Sequence, residues 1–200
     1  MATTLNEQRC YSVSMDQEGE IDMRYTIPVT AMAASLLLAA SSAHANDTLD
    51  VEMHKVSAEG VEESIGTVSL EQTDHGLLLT PSLSDMNPGV YGFHVHQNAS
   101  CEPAEDDNGE MTAALSAGGH YDPDDTGTHQ GPYEEGHLGD LPVLTVNDEG
   151  EANLPVLAPR LSMDDMPGRA LMIHEGGDTY DDEPHLGGGG PRMACGVVES

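Results

Sequence analysis

Basic residues are scarce in this chain. Six Lys and Arg stand against 36 Asp and Glu in 200 residues, a formal net charge of −30. Nucleic acid is thereby excluded as a partner, because its affinity comes from Lys and Arg neutralising phosphates. Aromatics are nearly absent, with one Phe, six Tyr and no Trp, so aliphatic and Met side chains must fill any core. No apolar run reaches the roughly 20 residues that a membrane-spanning helix needs. High negative charge with few aromatics also marks disordered chains. Against disorder, the Val, Leu and Ile come in short alternating runs, and 22 Gly and 12 Pro punctuate them as turns do.

The acids are dispersed. From Asp47 onward there are 31 acids and 4 basic residues (Lys55, Arg160, Arg169, Arg192), a net charge of −27, with acids in almost every block of ten. A local cation-binding tract would cluster them, so the spread is read as a surface adapted to strong salt, where the Debye length falls to about 3 Å at 1 M.

Residues 27–40 form the longest apolar stretch, preceded by Arg24 and followed by Ala43-His44-Ala45. A basic flank, an apolar centre and small residues at a cleavage position describe a secretory signal peptide over 23–45. A buried core helix is the alternative. Residues 1–22 carry Asp16, Glu18, Glu20 and Asp22 where a signal would be basic, and are read as an extension upstream of a true start at Met23. The domain is then 46–200, exported to the periplasm. Removing the leader takes Cys10 with it and leaves Cys101 and Cys195, an even count that suits an oxidising compartment and a bond between them. Two buried free thiols are the alternative.

Alternation predicts eight strands, over 48–56, 64–71, 76–80, 89–97, 142–147, 151–157, 169–175 and 193–198, with no convincing amphipathic helix. That spacing predicts an all-β sandwich or barrel. Residues 99–141 and 176–192 interrupt it as loops, and loops that long are usually functional or disordered. Histidine favours function.

His94 and His96 lie two apart in a strand candidate, so both imidazoles project from one face. His120, His129 and His137 follow in the long loop, with Asp140 three residues after the last. Three imidazoles and one carboxylate satisfy the tetrahedral coordination zinc prefers and leave no open position. His174, at the end of the 169–175 strand, completes a histidine-only group with His94 and His96, a donor set that suits copper. His54, His75 and His185 fall outside this arrangement and are read as surface residues. The bland alternative is nine scattered His.

Gly92-Phe93-His94-Val95-His96, Ser116-Ala117-Gly118-Gly119-His120-Tyr121-Asp122-Pro123, Gly136-His137-Leu138-Gly139-Asp140-Leu141-Pro142 and Gly190-Pro191-Arg192-Met193-Ala194-Cys195-Gly196-Val197-Val198 together resemble the copper,zinc superoxide dismutases, in particular their exported bacterial branch. The resemblance implies an eight-stranded antiparallel Greek-key sandwich or barrel, with a long metal-binding loop and a second, shorter loop at the active site. It implies dismutation of superoxide, with copper on His94, His96, His120 and His174, and zinc on His120, His129, His137 and Asp140. In this scheme His120 bridges the ions and joins the chemistry, Asp178 orients ligands of both metals, Arg192 attracts the anionic substrate, and Cys101 bonds Cys195. A homodimer is also implied, although a surface this acidic opposes association in dilute buffer. Two other readings use the same residues: an exported copper- and zinc-binding protein without dismutase activity, and a structural domain that binds zinc alone.

Overall fold

Two-residue periodicity sets the frame. The computed structural model describes residues 48–200, so the predicted extension over 1–22, with Cys10, and the predicted signal peptide over 23–45 lie outside the described residues. In strand β3 (Gly76–Leu83), Leu77, Leu79, Pro81 and Leu83 are buried while the residues between them are partly or fully exposed. β1 (Thr48–Ser57) buries Val51 and Met53 in the same manner, then Val56 after an irregularity in register at His54. Tight hairpins join β1 to β2 (Gly60–Thr73) and β2 to β3, the pairs Ser57–Gly60 and Thr73–Gly76 closing them. At the second turn the Thr73 hydroxyl donates to the Gly76 carbonyl at 2.8 Å and accepts from the His75 N–H at 3.1 Å, so side chain and backbone fix the register together.

The remaining strands are β4 (Gly89–Tyr91), β5 (Phe93–His96), β6 (Ala104–Glu105), β7 (Met111–Thr112), β8 (Leu144–Val146), β9 (Val156–Ala158), β10 (Arg169–His174) and β11 (Arg192–Val198). All paired neighbours are antiparallel. Seven strands form one sheet in the order β5-β10-β11-β1-β2-β3-β9, and β4-β8 and β6-β7 form two short ribbons. Strands distant in sequence therefore lie side by side, the long crossovers of a Greek key. Among the described residues the helical segments are three short 3₁₀ turns, and none is long and apolar enough to cross a membrane.

The all-β Greek-key expectation holds, with eleven strands where alternation predicts eight: β6 and β7 form a ribbon inside the predicted loop over 99–141, and the strand predicted over 151–157 starts only at Val156. The run predicted as a single strand over 89–97 is two strands in different sheets, broken at Gly92. Gly92 donates to the Gly176 carbonyl at 2.7 Å and accepts from the His174 N–H at 2.9 Å, which ties the second loop to the strand that carries His94. A side chain at Gly92 would press on the His94 ring, whose Cε1 lies 3.2 Å from the Cβ position. The segments on either side of β8 reach the main sheet through an antiparallel bridge between Leu83 and Ala152 and through the Leu141 N–H on the Phe93 carbonyl.

As the composition requires, aliphatic and Met side chains fill the core. Phe93, the one Phe, is fully buried among Met53, Val68, Leu70, Leu144, Leu171 and Ile173. A smaller apolar cluster surrounds the disulfide between Cys101 and Cys195, which anchors the long loop to β11. The parity reading of the cysteines is thus borne out, and the free-thiol alternative is not.

Candidate metal centre

The site grows from the free edge of β5. His94 and His96 are both buried and face one side of the strand, and β10 pairs beside them with His174 at its end. The long loop adds backbone to the other edge. Tyr121 N–H donates to the Val95 carbonyl at 2.8 Å, Val95 N–H to the Gly139 carbonyl at 2.8 Å, and Gly139 N–H to the Tyr121 carbonyl at 2.8 Å. These bonds place His120 opposite His96 and Asp140 opposite His94. Only glycine fits at 139, because a Cβ there would lie 2.3 Å from the Val95 oxygen.

Six predicted His and Asp140 are thereby brought together and buried. His94, His96, His120 and His174 present ligand atoms within 4.8 Å of one another, and so do His94, His120, His129 and Asp140. Sequence reasoning put His137 in the second group, where this grouping has His94. The His94 ring stacks on His120 with centroids 3.9 Å apart, while His137 stands alongside with Nδ1 3.4 Å from Asp140 Oδ1. His120 belongs to both groups. His54, His75 and His185 lie elsewhere and are partly or fully exposed, as predicted.

The hydrogen bonds assign the protons. His96 Nδ1 lies 2.9 Å from the Gly118 carbonyl and His174 Nδ1 3.0 Å from the Gly190 carbonyl. A carbonyl can only accept, so both Nδ1 atoms donate and both Nε2 atoms are bare lone pairs. Asp178 does the same for another pair, accepting from His94 Nε2 at 2.8 Å and His129 Nε2 at 2.7 Å. This leaves His94 Nδ1 buried without a hydrogen-bond partner, while His129 Nδ1 faces Asp140 Oδ2 at 3.0 Å and His137 Nδ1 faces Asp140 Oδ1 at 3.4 Å. His120 Nδ1 points at Asp140 Oδ1, 2.8 Å away, leaving Nε2 for the other group. Buried lone pairs that converge on one point are costly unless a cation sits among them. The donor chemistry fits two ions: imidazole alone on one side, imidazole and carboxylate on the other.

Burial dominates the titration of the histidine-only side. It pushes His94 down to about 3 and His174 to about 4, and holds His96 well below the usual imidazole range; positive charge on neighbouring His120 adds to each. Burial also lowers His120, against the pull of Asp140. His129 behaves oppositely. Burial opposes its charged form, but the Asp140 and Asp178 carboxylates outweigh it and raise His129 to about 9. Both carboxylates are held far below the ordinary range by their imidazole partners despite burial.

Arg192 sits beside His174 in the sheet register and is partly buried. Its guanidinium donates to the carbonyls of Ala114 and Gly118, the latter also being the acceptor for His96. Two of its donors are spent there and three remain. Sequence reasoning missed several supporting residues. Asp182 accepts the His129 N–H at 3.0 Å, Tyr180 donates its own N–H to Asp178 at 2.7 Å and accepts from Val143 N–H at 2.9 Å, and Gly187 packs so closely on Asp178 that a Cβ would lie 2.2 Å from Oδ1. Only Gly187 left a trace in the sequence, as a member of the glycine run before Arg192.

Comparison with known proteins agrees with this chemistry. The family model described as copper/zinc superoxide dismutase matches residues 64–198. Superoxide dismutase [Cu-Zn] 2 of Salmonella typhimurium is 53% identical over 171 residues, covering 84% of this chain and 98% of the relative. Superoxide dismutase [Cu-Zn] of Escherichia coli strain K12 is 50% identical over 171 residues with the same two coverages, 84% and 98%. Among solved structures, the Cu/Zn superoxide dismutase from Brucella abortus is similar with a TM-score of 0.74 and 44% identity, covering 76% of this chain and all of that one. The solution structure of the monomeric copper, zinc superoxide dismutase from Salmonella enterica gives a TM-score of 0.69 and 54% identity over the same shares.

Proposed function

The chain belongs to the copper/zinc superoxide dismutase family and dismutes superoxide, and on that premise we propose which of its residues do so. His94 Nδ1, His96 Nε2, His120 Nε2 and His174 Nε2 hold copper. His120 Nδ1, His129 Nδ1, His137 Nδ1 and Asp140 hold zinc. The observation that carries this assignment is His120, shared by both groups with one nitrogen turned to Asp140. Asp178 orients one ligand of each ion, His94 and His129.

When bound, copper supplies the alternating one-electron exchange that turns two superoxide anions and two protons into dioxygen and hydrogen peroxide, while zinc, without redox chemistry, shapes the site. Arg192 holds the substrate anion: it is partly open to solvent, near His96 and His174, and anchored by two carbonyls. His120 Nε2 would be the atom to take up and pass on a proton whenever it is not holding copper, its Nδ1 side being turned to Asp140. Reconstitution with copper and zinc followed by a superoxide decay assay tests the reading. Rapid decay that persists when a chelator silences free copper, and that is lost in His120→Ala, is expected; catalysis that the chelator abolishes overturns it.

The same reading places a signal peptide over 23–45 behind an extension of 1–22, and a periplasmic domain from 46. The Cys101–Cys195 bond supports export, since such bonds persist in oxidising compartments. N-terminal sequencing of the secreted protein tests it, a mature chain that begins at or before residue 45 being the contrary result. We read the acidic skin as an adaptation to strong salt, to be tested by unfolding in rising NaCl, with stability expected to increase. Self-association works against −27 charges in dilute buffer, so a homodimer is expected only in salt; sedimentation at low and high NaCl decides.

A further inference from the structure

Each arginine of the described residues spends its guanidinium on backbone carbonyls. Arg192 reaches Ala114 and Gly118, Arg169 reaches Gln97 at 2.8 Å, and Arg160 reaches Gly136 through Nη2 at 2.8 Å and His137 through Nη1 at 3.3 Å. In a chain so rich in carboxylates, an ion pair would be the default use for a scarce cation. The targets of Arg160 explain the exception.

Arg160 follows β9, an edge strand of the main sheet, in a turn closed by the Leu161 N–H on the Ala158 carbonyl. Immediately after it, Asp165 accepts from both the N–H and the hydroxyl of Ser162, at 2.8 and 2.7 Å, and caps the next turn. The arginine therefore springs from anchored backbone. Its two acceptors lie in the long loop, where that loop crosses itself: His137 N–H donates to the Thr128 carbonyl at 2.9 Å, and a Cβ on Gly136 would lie 2.7 Å from the same oxygen. On either side of this crossing are His129 and His137. Asp140 N–H approaches the His137 carbonyl only at 3.4 Å, so the oxygen that Arg160 takes is also the one that closes the turn from His137 to Asp140.

We propose that Arg160 is a positioning residue for the zinc site, its planar fork holding the Gly136 and His137 carbonyls so that His137 and Asp140 keep the spacing a bound zinc needs. The inference rests on the zinc ligand set proposed above. Two N–H groups in one rigid plane match two successive carbonyls, which a lysine ammonium, a single point charge, does not reproduce. Direct hydrogen bonds from a guanidinium to backbone carbonyls survive in strong salt, where pairs of surface charges are screened. Arg160 touches the loop on the zinc side only, so its loss should loosen zinc and spare copper.

The test uses the copper- and zinc-loaded protein, with cobalt(II) in the zinc position as a spectroscopic probe. Wild type must first show tetrahedral cobalt bands; their absence defeats the ligand set and not the role of Arg160. With that established, Arg160→Met should release zinc to a chelator at least about 10-fold faster, the scale of lost outer-shell support, and shift the cobalt bands. Its copper(II) paramagnetic resonance spectrum and copper release should stay as in wild type. Arg160→Lys, which keeps the stem and charge but not the fork, should fall between the two, and it carries the test alone if the Met variant does not fold. Zinc release within twofold of wild type in both variants, or copper lost in step with zinc, overturns the proposal.

Discussion

The Nε2 atoms of His96 and His174 lie 3.4 Å apart inside the protein, and both carry lone pairs, since each ring holds its proton on Nδ1 and donates it in a hydrogen bond to a backbone carbonyl. Neither nitrogen can donate to the other while both rings are neutral. Burial keeps them neutral, so the pair is stored electrostatic repulsion that only a cation relieves. His174→Ala should remove one of the two and, with it, copper. The expected result is a loss of activity beyond about 100-fold, the upper end of what outer-shell changes cost, with zinc still bound at one equivalent by elemental analysis. Copper retained at wild-type occupancy would contradict the assignment.

Asp178 gives a different outcome, because it serves both ions at once. Its two oxygens accept one N–H each, from His94 and from His129. Asn at this position keeps one acceptor and turns an NH₂ toward the other ring, a clash of two donors. Asp178→Asn should therefore weaken the affinity for both metals by about 10- to 100-fold. Competition against chelators of graded strength measures this. An effect confined to one metal would show that the carboxylate acts on one side alone.

The histidine pKa values predict how the metal-free protein responds to pH. His94 at about 3 and His174 at about 4 lie below the unfolded value near 6.5, so between 6.5 and those values the unfolded chain binds more protons and stability falls as pH drops. His96 and His120 are shifted in the same direction and steepen that limb, and Asp140 and Asp178 add to it below about 4. His129, raised to about 9, works the other way: its contribution is complete below 6.5 and is lost as pH rises through 9. Stability of the apoprotein should peak near pH 6.5, with an acid limb steeper than the alkaline one. Urea unfolding in 1 M NaCl, which screens the surface acids, measures it. A plateau from pH 6.5 down to 4 would refute the buried neutral histidines.

How much of this was legible in the sequence depends on distance along the chain. His94 and His96 follow from a period of two, and His174 from its place at a strand end, since both signals are local. Pairing of the cysteines needed only an even count. By contrast, the break at Gly92 is set by Gly176 and His174, more than 80 residues away, and no local pattern encodes it. The stacking of His94 on His120, which brings His94 into the second ligand group, is likewise a product of the loop pairing along the edge of β5. The role of Asp178 came from family resemblance alone, and Arg160 stood in the sequence only as one of four cations from Asp47 onward. Its carbonyls lie 23 and 24 positions earlier in the chain, across a turn whose geometry is tertiary. What composition does show is scarcity: from Asp47 onward, three arginines stand among 31 acids.

Scarcity also governs how the substrate arrives. Superoxide is an anion, and the region from Asp47 carries a net charge of −27 with only four cations. Arg169 is committed to Gln97 and lies over the Tyr121 ring at 4.2 Å, Arg160 is committed to the long loop, and Lys55 pairs with Glu63 at 2.8 Å. Arg192 alone stands beside the copper-side histidines. The long-range field is then repulsive, and the short-range attraction comes from one guanidinium. Adding NaCl from dilute buffer to molar concentration shortens the Debye length from tens of ångströms to about 3 Å and removes the repulsion before the contact. The rate constant for superoxide should rise with salt, or at least hold. In Arg192→Gln it should be lower by about 10-fold, the low end of what electrostatic steering supplies, and should rise with salt in parallel, because the repulsive field is unchanged. Pulse radiolysis across a salt series measures both. A rate that declines steeply with salt in the wild type would reveal an attractive field that these four cations do not account for.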